Sequence, residues 1–383
     1  MAQQDGRLGQ EGMATEEKDP KTGTAGGTMR ADGNPDDSRG SLFRSNLPRP
    51  TMADVARLSG FSAMTVSRAL KDGASVSATT RERILGVIEE IGYVPDLTAG
   101  GLSSKRSGFI TALVPTINNS NFSDTACGLT DALSERGLQL LLGYTDYSSG
   151  REEELISAML RRRPEGMILT GGFHTERARR LLESAAIPII ETWDLPEAPV
   201  DQVVGFSNAD ASRAMVHHLV ERGYRNIGFI GGSSNRDTRG ADRRAGYEAA
   251  MSELGLGEGH IITFGTPPIS MEQGGQAIAQ MIEQWPEVDA VICVSDLSAF
   301  GVIMECHRRG WSVPGRVAVA GFGDFEVSRC CWPSITTVTV NSYDIGKQAG
   351  ELLLSTIDRI RAGEEVAPAT VKIDFKVVSR EST

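Results

Sequence analysis

Residues 51–70, TMADVARLSGFSAMTVSRAL, constrain this chain more than any other stretch, because they compress two helix signals and a break into one short run. Thr51 can cap a first helix by offering its hydroxyl to an orphan backbone N–H. Val55 and Leu58 then share one face of it. Gly60 ends that helix, Phe61 fills the corner and Ser62 caps a second. In the second helix Val66, Ala69 and Leu70 face inward, while Met64, Ser67 and Arg68, at i, i+3 and i+4, face the other way. A short helix with an arginine and small polar groups on its free side suits the major groove of DNA. The same spacing also serves a helical hairpin that packs against another surface. A third helix follows, with Ser77 or Thr79 as its cap and Glu82 spaced for a capping box. It carries Ile84, Val87, Ile88 and Ile91 on one side, and Gly92-Tyr93-Val94-Pro95 stops it. Together these residues suffice for a three-helix core.

Asp54-Val55-Ala56, Thr65-Val66-Ser67-Arg68, Val76-Ser77 with Thr80-Arg81, and Gly92-Tyr93-Val94-Pro95 resemble, without gaps, the DNA-binding headpiece of the lactose-repressor (LacI) family of bacterial transcription regulators. The resemblance continues to the C-terminus. It implies operator contact by Thr51, Ser62, Ala63, Met64, Thr65, Ser67, Arg68, Lys71, Ser77 and Thr80. It also implies that Leu102, in a hinge that becomes helical on the operator, wedges into the minor groove. Gly100-Gly101 departs from the helix-friendly residues usual there, at a cost of roughly 2 kcal/mol in helix propensity relative to alanine.

At 383 residues the chain exceeds one core and fits a small module plus a larger body. Residues 1–46 are rich in Gly, Asp, Glu, Ser and Thr, with Phe43 the sole aromatic, and are expected to be a disordered extension. The net charge of −11 argues against nucleic acid only until it is counted by region. Residues 46–107 hold eight Lys/Arg against six Asp/Glu, so a mildly basic head sits on a strongly acidic remainder. That balance limits non-specific DNA binding and leaves specificity to placed contacts. No apolar run approaches the ~20 residues of a membrane span, and the N-terminus has no signal-peptide pattern. Five cysteines, odd in number and without metal spacing, read as reduced cytosolic thiols.

From Gly108 the pattern alternates strand and helix. Apolar runs at 109–114, 138–143, 166–170, 187–191, 227–230 and 290–294 are separated by amphipathic stretches such as 122–136, 152–163 and 209–222. Such alternation predicts parallel sheets covered by helices on both faces, with ligands beyond the carboxyl ends of the strands. The family resemblance implies that this is a two-lobed, periplasmic-binding-protein-like body with a sugar cleft between lobes. The expected organisation is therefore an all-α helix-turn-helix headpiece at 47–95, a hinge at 96–107, and an effector-binding and dimerisation body at 108–378. Crossings expected near 205–208, 311–315 and 334–341 give one lobe of 108–206 plus 315–335 and a second of 207–312 plus 340–375. The tail Val371-Lys-Ile-Asp-Phe-Lys-Val-Val reads as a strand with no apolar heptad after it, so a dimer is expected rather than a coiled-coil tetramer.

Asp296 follows the apolar run 290–294. A carboxylate at a strand end can accept hydrogen bonds from adjacent sugar hydroxyls, and it can equally cap a helix starting at Leu297. The frame Ser295-Asp-x-x-Ala-x-Gly301 matches the family's effector aspartate, which implies ligand contact. Arg243 stands in Arg-Arg-Ala-Gly-Tyr247, the family's Arg-x-x-Gly-aromatic frame, which implies that it reaches into the cleft and binds oxygen or carboxylate groups. A guanidinium is planar, always charged and able to grip two oxygens; Arg244 beside it fits a surface helix arginine. Arg239, one turn earlier, could add a second positive charge. Asn121 and Phe122, in Asn118-Asn-Ser-Asn-Phe122, fall where the family contacts ligand, although a core phenylalanine fits the pattern nearly as well.

Enzyme signatures are missing from the sequence. The five histidines form no HExxH pair, Gly231-Gly232 is not followed by a phosphate-loop Lys, and no Gly-x-Ser-x-Gly elbow occurs. No catalytic residue, metal site or cofactor is expected. A sugar kinase and a sugar-binding transport protein are the other classes weighed; the second would need a signal peptide and lack the headpiece. Within the family, Met64-Thr-Val-Ser-Arg68, Gly166-Met-Ile-Leu-Thr with His174-Thr175, Pro188-Ile-Ile-Glu-Thr-Trp-Asp194 and Val204-Gly-Phe-Ser-Asn208 resemble the gluconate-operon repressor branch. The resemblance implies a cytoplasmic homodimer that binds a palindromic operator and represses carbohydrate or sugar-acid catabolism genes. A sugar or sugar acid would act as effector, with a neutral sugar the alternative to a gluconate-like acid.

Overall fold

The computed structural model describes residues 49–70, 76–95, 107–232 and 237–383. Lys71, Gly100, Gly101, Leu102 and the N-terminal extension expected at 1–46 lie outside the described residues. The chain divides into two compact units, one up to Pro95 and one from Asp96 onward.

The first unit holds α1 (Met52–Ser59), α2 (Ala63–Ala69) and α3 (Ala78–Ile91). Each begins on a hydroxyl cap, as the orphan N–H groups of a helix start require. Thr51 Oγ1 accepts from the Asp54 N–H at 3.3 Å while Asp54 returns a bond to the Thr51 N–H, closing a capping box. Ser62 and Ser77 accept from the N–H groups of Thr65 and Thr80, each at 3.2 Å. The third cap is therefore Ser77, and its partner three residues on is Thr80, so the box expected of Glu82 does not form. Gly60 ends α1 at φ 78°, a left-handed conformation that glycine adopts without a Cβ penalty. Val55, Val66, Ala69, Ile84 and Tyr93 form the core. Leu58, expected beside Val55, is exposed, and Ser59, one full turn from Val55, takes the inward place.

The second unit contains two six-stranded sheets among the described residues. The first is built from β1 (Phe109–Val114), β2 (Gln139–Tyr144), β3 (Met167–Thr170), β4 (Ile189–Thr192), β5 (Gln202–Gly205) and β11 (Thr370–Lys372), in the order β11-β5-β4-β3-β1-β2 and parallel throughout. The second contains β6 (Ile227–Gly231), β7 (His260–Thr263), β8 (Ala290–Cys293), β9 (Ala318–Phe322), β10 (Thr336–Val340) and β12 (Phe375–Val378), in the order β12-β10-β9-β8-β6-β7. Only β12 runs antiparallel there, against β10. Strands β3, β4, β5, β6, β8 and β9 are buried along nearly their whole length, as parallel strands covered by helices on both faces must be.

The helices connecting these strands are α4 (Ser120–Ser134), α5 (Ser149–Leu160), α6 (Glu176–Glu183), α7 (Asn208–Glu221), α8 (Thr238–Glu253), α9 (Met271–Gln284), α10 (Asp296–Arg309), α11 (Glu326–Cys330) and α12 (Ser342–Arg361).

The sheets correct the expected lobe boundaries. Lobe 1 consists of 108–205 and 342–372, and lobe 2 of 207–340 and 375–383. The crossing at 205–208 stands, but 311–315 is not one: Ala318, Val319 and Ala320 pair in parallel with Ala290, Val291 and Ile292, which keeps 315–335 in lobe 2. The chain next crosses after Val340, since α12 packs on α4 of lobe 1. It crosses last between Lys372 and Phe375. The tail expected as a single strand is thus two, one in each sheet.

Two glycines let α4 and α12 touch backbone to backbone. A Cβ on Gly346 would lie 2.0 Å from the Thr125 carbonyl oxygen, and one on Gly128 would lie 2.1 Å from that of Tyr343. Backbone cannot swing aside as a side chain can, so added volume must part the helices. Gly346→Ala is expected to destabilise the body by roughly 1–3 kcal/mol, the usual cost of overpacking. A urea unfolding midpoint unchanged by this substitution would show that the helices do not approach so closely.

Candidate DNA-reading face and effector cleft

On the headpiece, Met64 is 66% exposed and Arg68 and Ala63 are open beside it on α2. Val66 and Ala69 anchor the opposite side of that helix in the core. Among the described residues Arg68 makes no hydrogen bond or ion pair, so its guanidinium is free to meet a base edge. Ser67 and Thr65 are partly exposed on the same helix. The hydroxyls of Thr51, Ser62 and Ser77 are occupied as helix caps, and Thr80 Oγ1 accepts from Ser77 at 2.8 Å. These residues therefore set where the helices begin, while Met64 and Arg68 present the uncommitted surface.

In the body, a cavity of about 60 Å³ opens at the carboxyl ends of both sheets and draws residues from both lobes. Asn119, Asn121 and Phe122 come from the turn after β1 and the start of α4. Tyr147 follows β2 and Trp193 follows β4. From lobe 2, Asp237, Arg239 and Arg243 line it at the start of α8, with Ser295 after β8 and Phe322 at the end of β9.

Arg243 is held on three sides. Its Nε donates to Asn208 Oδ1 at 3.0 Å, its Nη1 donates to the Val294 carbonyl at 2.9 Å, and its guanidinium lies 3.7 Å over the Phe322 ring. Asn208 in turn donates from Nδ2 to the Trp193 carbonyl at 2.9 Å, which ties the arginine of lobe 2 to lobe 1. Burial lowers the Arg243 pKa to about 10, so the group remains cationic at neutral pH. Arg239 is buried over Phe122, 5.2 Å from the ring centre, with the Tyr147 ring at 5.9 Å on another side. Among the described residues neither guanidinium has a carboxylate within ion-pair distance. Arg239 is buried and Arg243 half-buried, and Asp237 is the one carboxylate that shares the cavity lining with them.

The cleft therefore brings together four of the expected effector residues, Asn121, Phe122, Arg239 and Arg243. It does not include the fifth. Asp296 is fully buried, with Oδ1 accepting from Thr337 Oγ1 at 2.6 Å and Oδ2 accepting from the Phe325 N–H at 2.8 Å. Gly321 leaves the space that this carboxylate fills: a Cβ there would lie 2.1 Å from Oδ1. Burial pushes the carboxyl up to about 6 against the pull of those two hydrogen bonds. Nor does Asp296 cap α10, since Ser295 does so through the Ser298 N–H. The carboxylate that does line the cavity is Asp237, and sequence reasoning missed it together with Tyr147 and Trp193. Trp193 lay within the Glu-Thr-Trp-Asp segment noted above; the other two stand in loops without a local signal.

Among the described residues no group of three or more His, Cys, Asp or Glu side chains is arranged to hold a metal ion, and no helix is long and apolar enough to cross a membrane. All five cysteines are free thiols.

A three-helix DNA-reading unit and a two-lobed body with an interlobe cleft define a ligand-responsive DNA-binding protein. The chain belongs to the LacI family of bacterial transcription regulators and is itself a DNA-binding transcriptional regulator. Residues 51–96 match the family profile described as bacterial regulatory proteins, lacI family, and residues 216–383 match that of a periplasmic binding protein-like domain. The HTH-type transcriptional regulator GntR of Pseudomonas aeruginosa is 35% identical over 335 residues, covering 88% of this chain and 96% of the relative. The regulator of the same name from Escherichia coli is 33% identical over 85% of this chain and 96% of its own length. A LacI-family regulator structure from Silicibacter pomeroyi superposes with a TM-score of 0.80 at 31% identity, covering 87% of this chain and 99% of that one.

Behind the cleft, His174 is clamped between two carboxylates, with Nδ1 2.6 Å from Glu152 Oε1 and Nε2 3.3 Å from Glu191 Oε1. Burial alone would lower its pKa, but the bonds to Glu152 and Glu191 outweigh it and raise the imidazole to about 9. A folded pKa above the unfolded value near 6.5 means that the stabilisation is complete below about pH 6.5 and is lost as pH rises through about 9. The loss is on the order of 3 kcal/mol. Unfolding midpoints measured from pH 6 to pH 10 should fall for the native chain and fall less for His174→Gln. Parallel pH profiles for the two proteins would contradict the charged clamp.

Proposed function

We propose that the chain is a cytoplasmic repressor of sugar-acid catabolism genes, acting as a homodimer on a palindromic operator and released by a hexonate such as gluconate. The observation that carries the effector class is the pair of guanidiniums, Arg239 buried and Arg243 half-buried, that line the interlobe cavity with no carboxylate within ion-pair distance among the described residues. Arg243 holds the effector carboxylate. Asp237, with Asn119 and Asn121, accepts and donates to hydroxyls; it takes the role that the sequence pattern suggested for Asp296. A cation selects any anion and an acceptor selects any polyol, so together they select a molecule with both features. Release follows if the ligand prefers one lobe arrangement, because equal affinity for both shifts nothing. Two headpieces related by a twofold axis match the two half-sites of a palindrome. The reading needs no catalytic step.

Calorimetric titration of sugars and sugar acids, paired with an operator-release assay, tests the effector class. Arg243→Ala should weaken gluconate binding by at least tenfold and abolish release while operator binding without ligand survives. Release by a neutral sugar with gluconate inert would remove the effector assignment and leave the regulator intact. On the DNA side, Arg68→Ala is expected to cost about 1–3 kcal/mol on the true operator, the value of a bidentate base contact. Unchanged operator affinity in a folded Arg68→Ala protein would exclude Arg68 as a base reader.

A further inference from the structure

A second chamber of about 60 Å³ adjoins the effector cavity on its lobe 1 side, and the two share only Tyr147, Asp237 and Arg239 as lining residues. Tyr147 is the one aromatic side chain in that shared wall. Its ring packs on Arg239, with 5.9 Å from the guanidinium carbon to the ring centre. The backbone that places it is strained: Asp146 and Tyr147 stand at φ 54° and 53°, the left-handed region that non-glycine residues rarely occupy. Such strain persists where surrounding contacts over-determine it, and it concentrates at ligand-binding positions.

The far chamber is equipped for hydroxyl groups. Thr145 is 7% exposed, lines the chamber, and its hydroxyl has no hydrogen-bond partner among the described residues. Ser149, Thr170 and Glu152 add oxygen acceptors around it. At its mouth Phe173 is 63% exposed, on the loop that the His174 clamp holds in place. An open aromatic face beside several oxygen acceptors suits a sugar ring, which has an apolar face and a hydroxyl rim.

We propose that Tyr147 sets the length of the effector. Its ring bounds the inner chamber and separates it from an outer chamber that would otherwise receive a longer effector. This rests on the sugar-acid reading above, in that the acid end sits on Arg243 and Arg239 and the chain extends toward Tyr147. Removing the ring should join the chambers and admit a two-unit acid without disturbing the grip on the carboxylate by Arg243.

The test uses the full chain and four ligands: gluconate and cellobionate as acids, glucose and cellobiose as their neutral counterparts. Calorimetric affinity and operator release are measured for the native protein, for Tyr147→Gly and for Tyr147→Asn. Glycine and asparagine both tolerate the left-handed backbone, so the ring is removed without added strain. Operator binding without ligand reports that each variant is folded. The native protein should prefer the one-unit acid by at least tenfold, and both variants should narrow that ratio by tenfold or more. Tyr147→Phe should keep the length preference. A native protein that binds cellobionate as tightly as gluconate overturns the proposal. So do two folded variants whose ratio matches the native one. If the neutral sugars bind and the acids do not, the sugar-acid reading falls, and the glucose-to-cellobiose ratio then judges Tyr147 alone.

Discussion

The body depends on a single buried amide at the place where the chain first leaves one lobe for the other. Asn208 donates to the Trp193 carbonyl in lobe 1 and accepts from Arg243 in lobe 2. A side-chain amide can do both because it carries a donor and an acceptor on one planar group. An aspartate there could accept from Arg243 but, when ionised, could not donate to the Trp193 carbonyl. Through this bond the orientation of the cleft arginine depends on the position of both lobes, and any ligand that draws on Arg243 engages both.

The surroundings of Arg243 explain why that orientation is exact enough to matter. The Val294 carbonyl fixes a second nitrogen, and the guanidinium carbon stands 3.7 Å over the centre of the Phe322 ring. Phe322 belongs to an aromatic series that continues through Phe206 and Trp193 to Phe122, with centroid separations of 6.1, 6.0 and 5.3 Å. Rigid rings from both lobes therefore form the cleft floor, and the polar groups stand on it. Asp237 is the one carboxylate among the cavity lining, so the two arginines outnumber the acids there.

Asp296 shows the same economy of charge put to a different use. Its frame is that of an effector-binding aspartate, yet here the side chain turns into lobe 2 and joins the start of α10 to Phe325 and to Thr337 on β10. Phe325 and Ser295 both line the cavity. The carboxylate thus positions the cavity wall from behind, and Gly321 is what makes room for it. Neither the missing Cβ at Gly321 nor the hydroxyl of Thr337 is adjacent to Asp296 in the chain, which is why the residue frame alone pointed the other way.

Local signals in the sequence placed the three headpiece helices, though not the burial of Ser59 in place of Leu58. Thr51, Ser62 and Ser77 cap their helices through bonds spanning three residues, and the outward face of Met64 and Arg68 follows from helical spacing. The strands and helices of the body were likewise legible because period is a property of consecutive residues, whereas Arg243 was picked out by its match to the family's Arg-x-x-Gly-aromatic frame. Sheet membership was not: residues 315–335 were expected in the first lobe, and pairing of 318–320 with β8 assigns them to the second. The meeting of Tyr147 and Asp237 at one cavity was equally hidden, since they lie in loops of different lobes. Short-range hydrogen bonds and periodic burial are written residue by residue. Which strand finds which neighbour, and which way a buried carboxylate turns, depends on contacts between distant segments that exist only once the chain has folded.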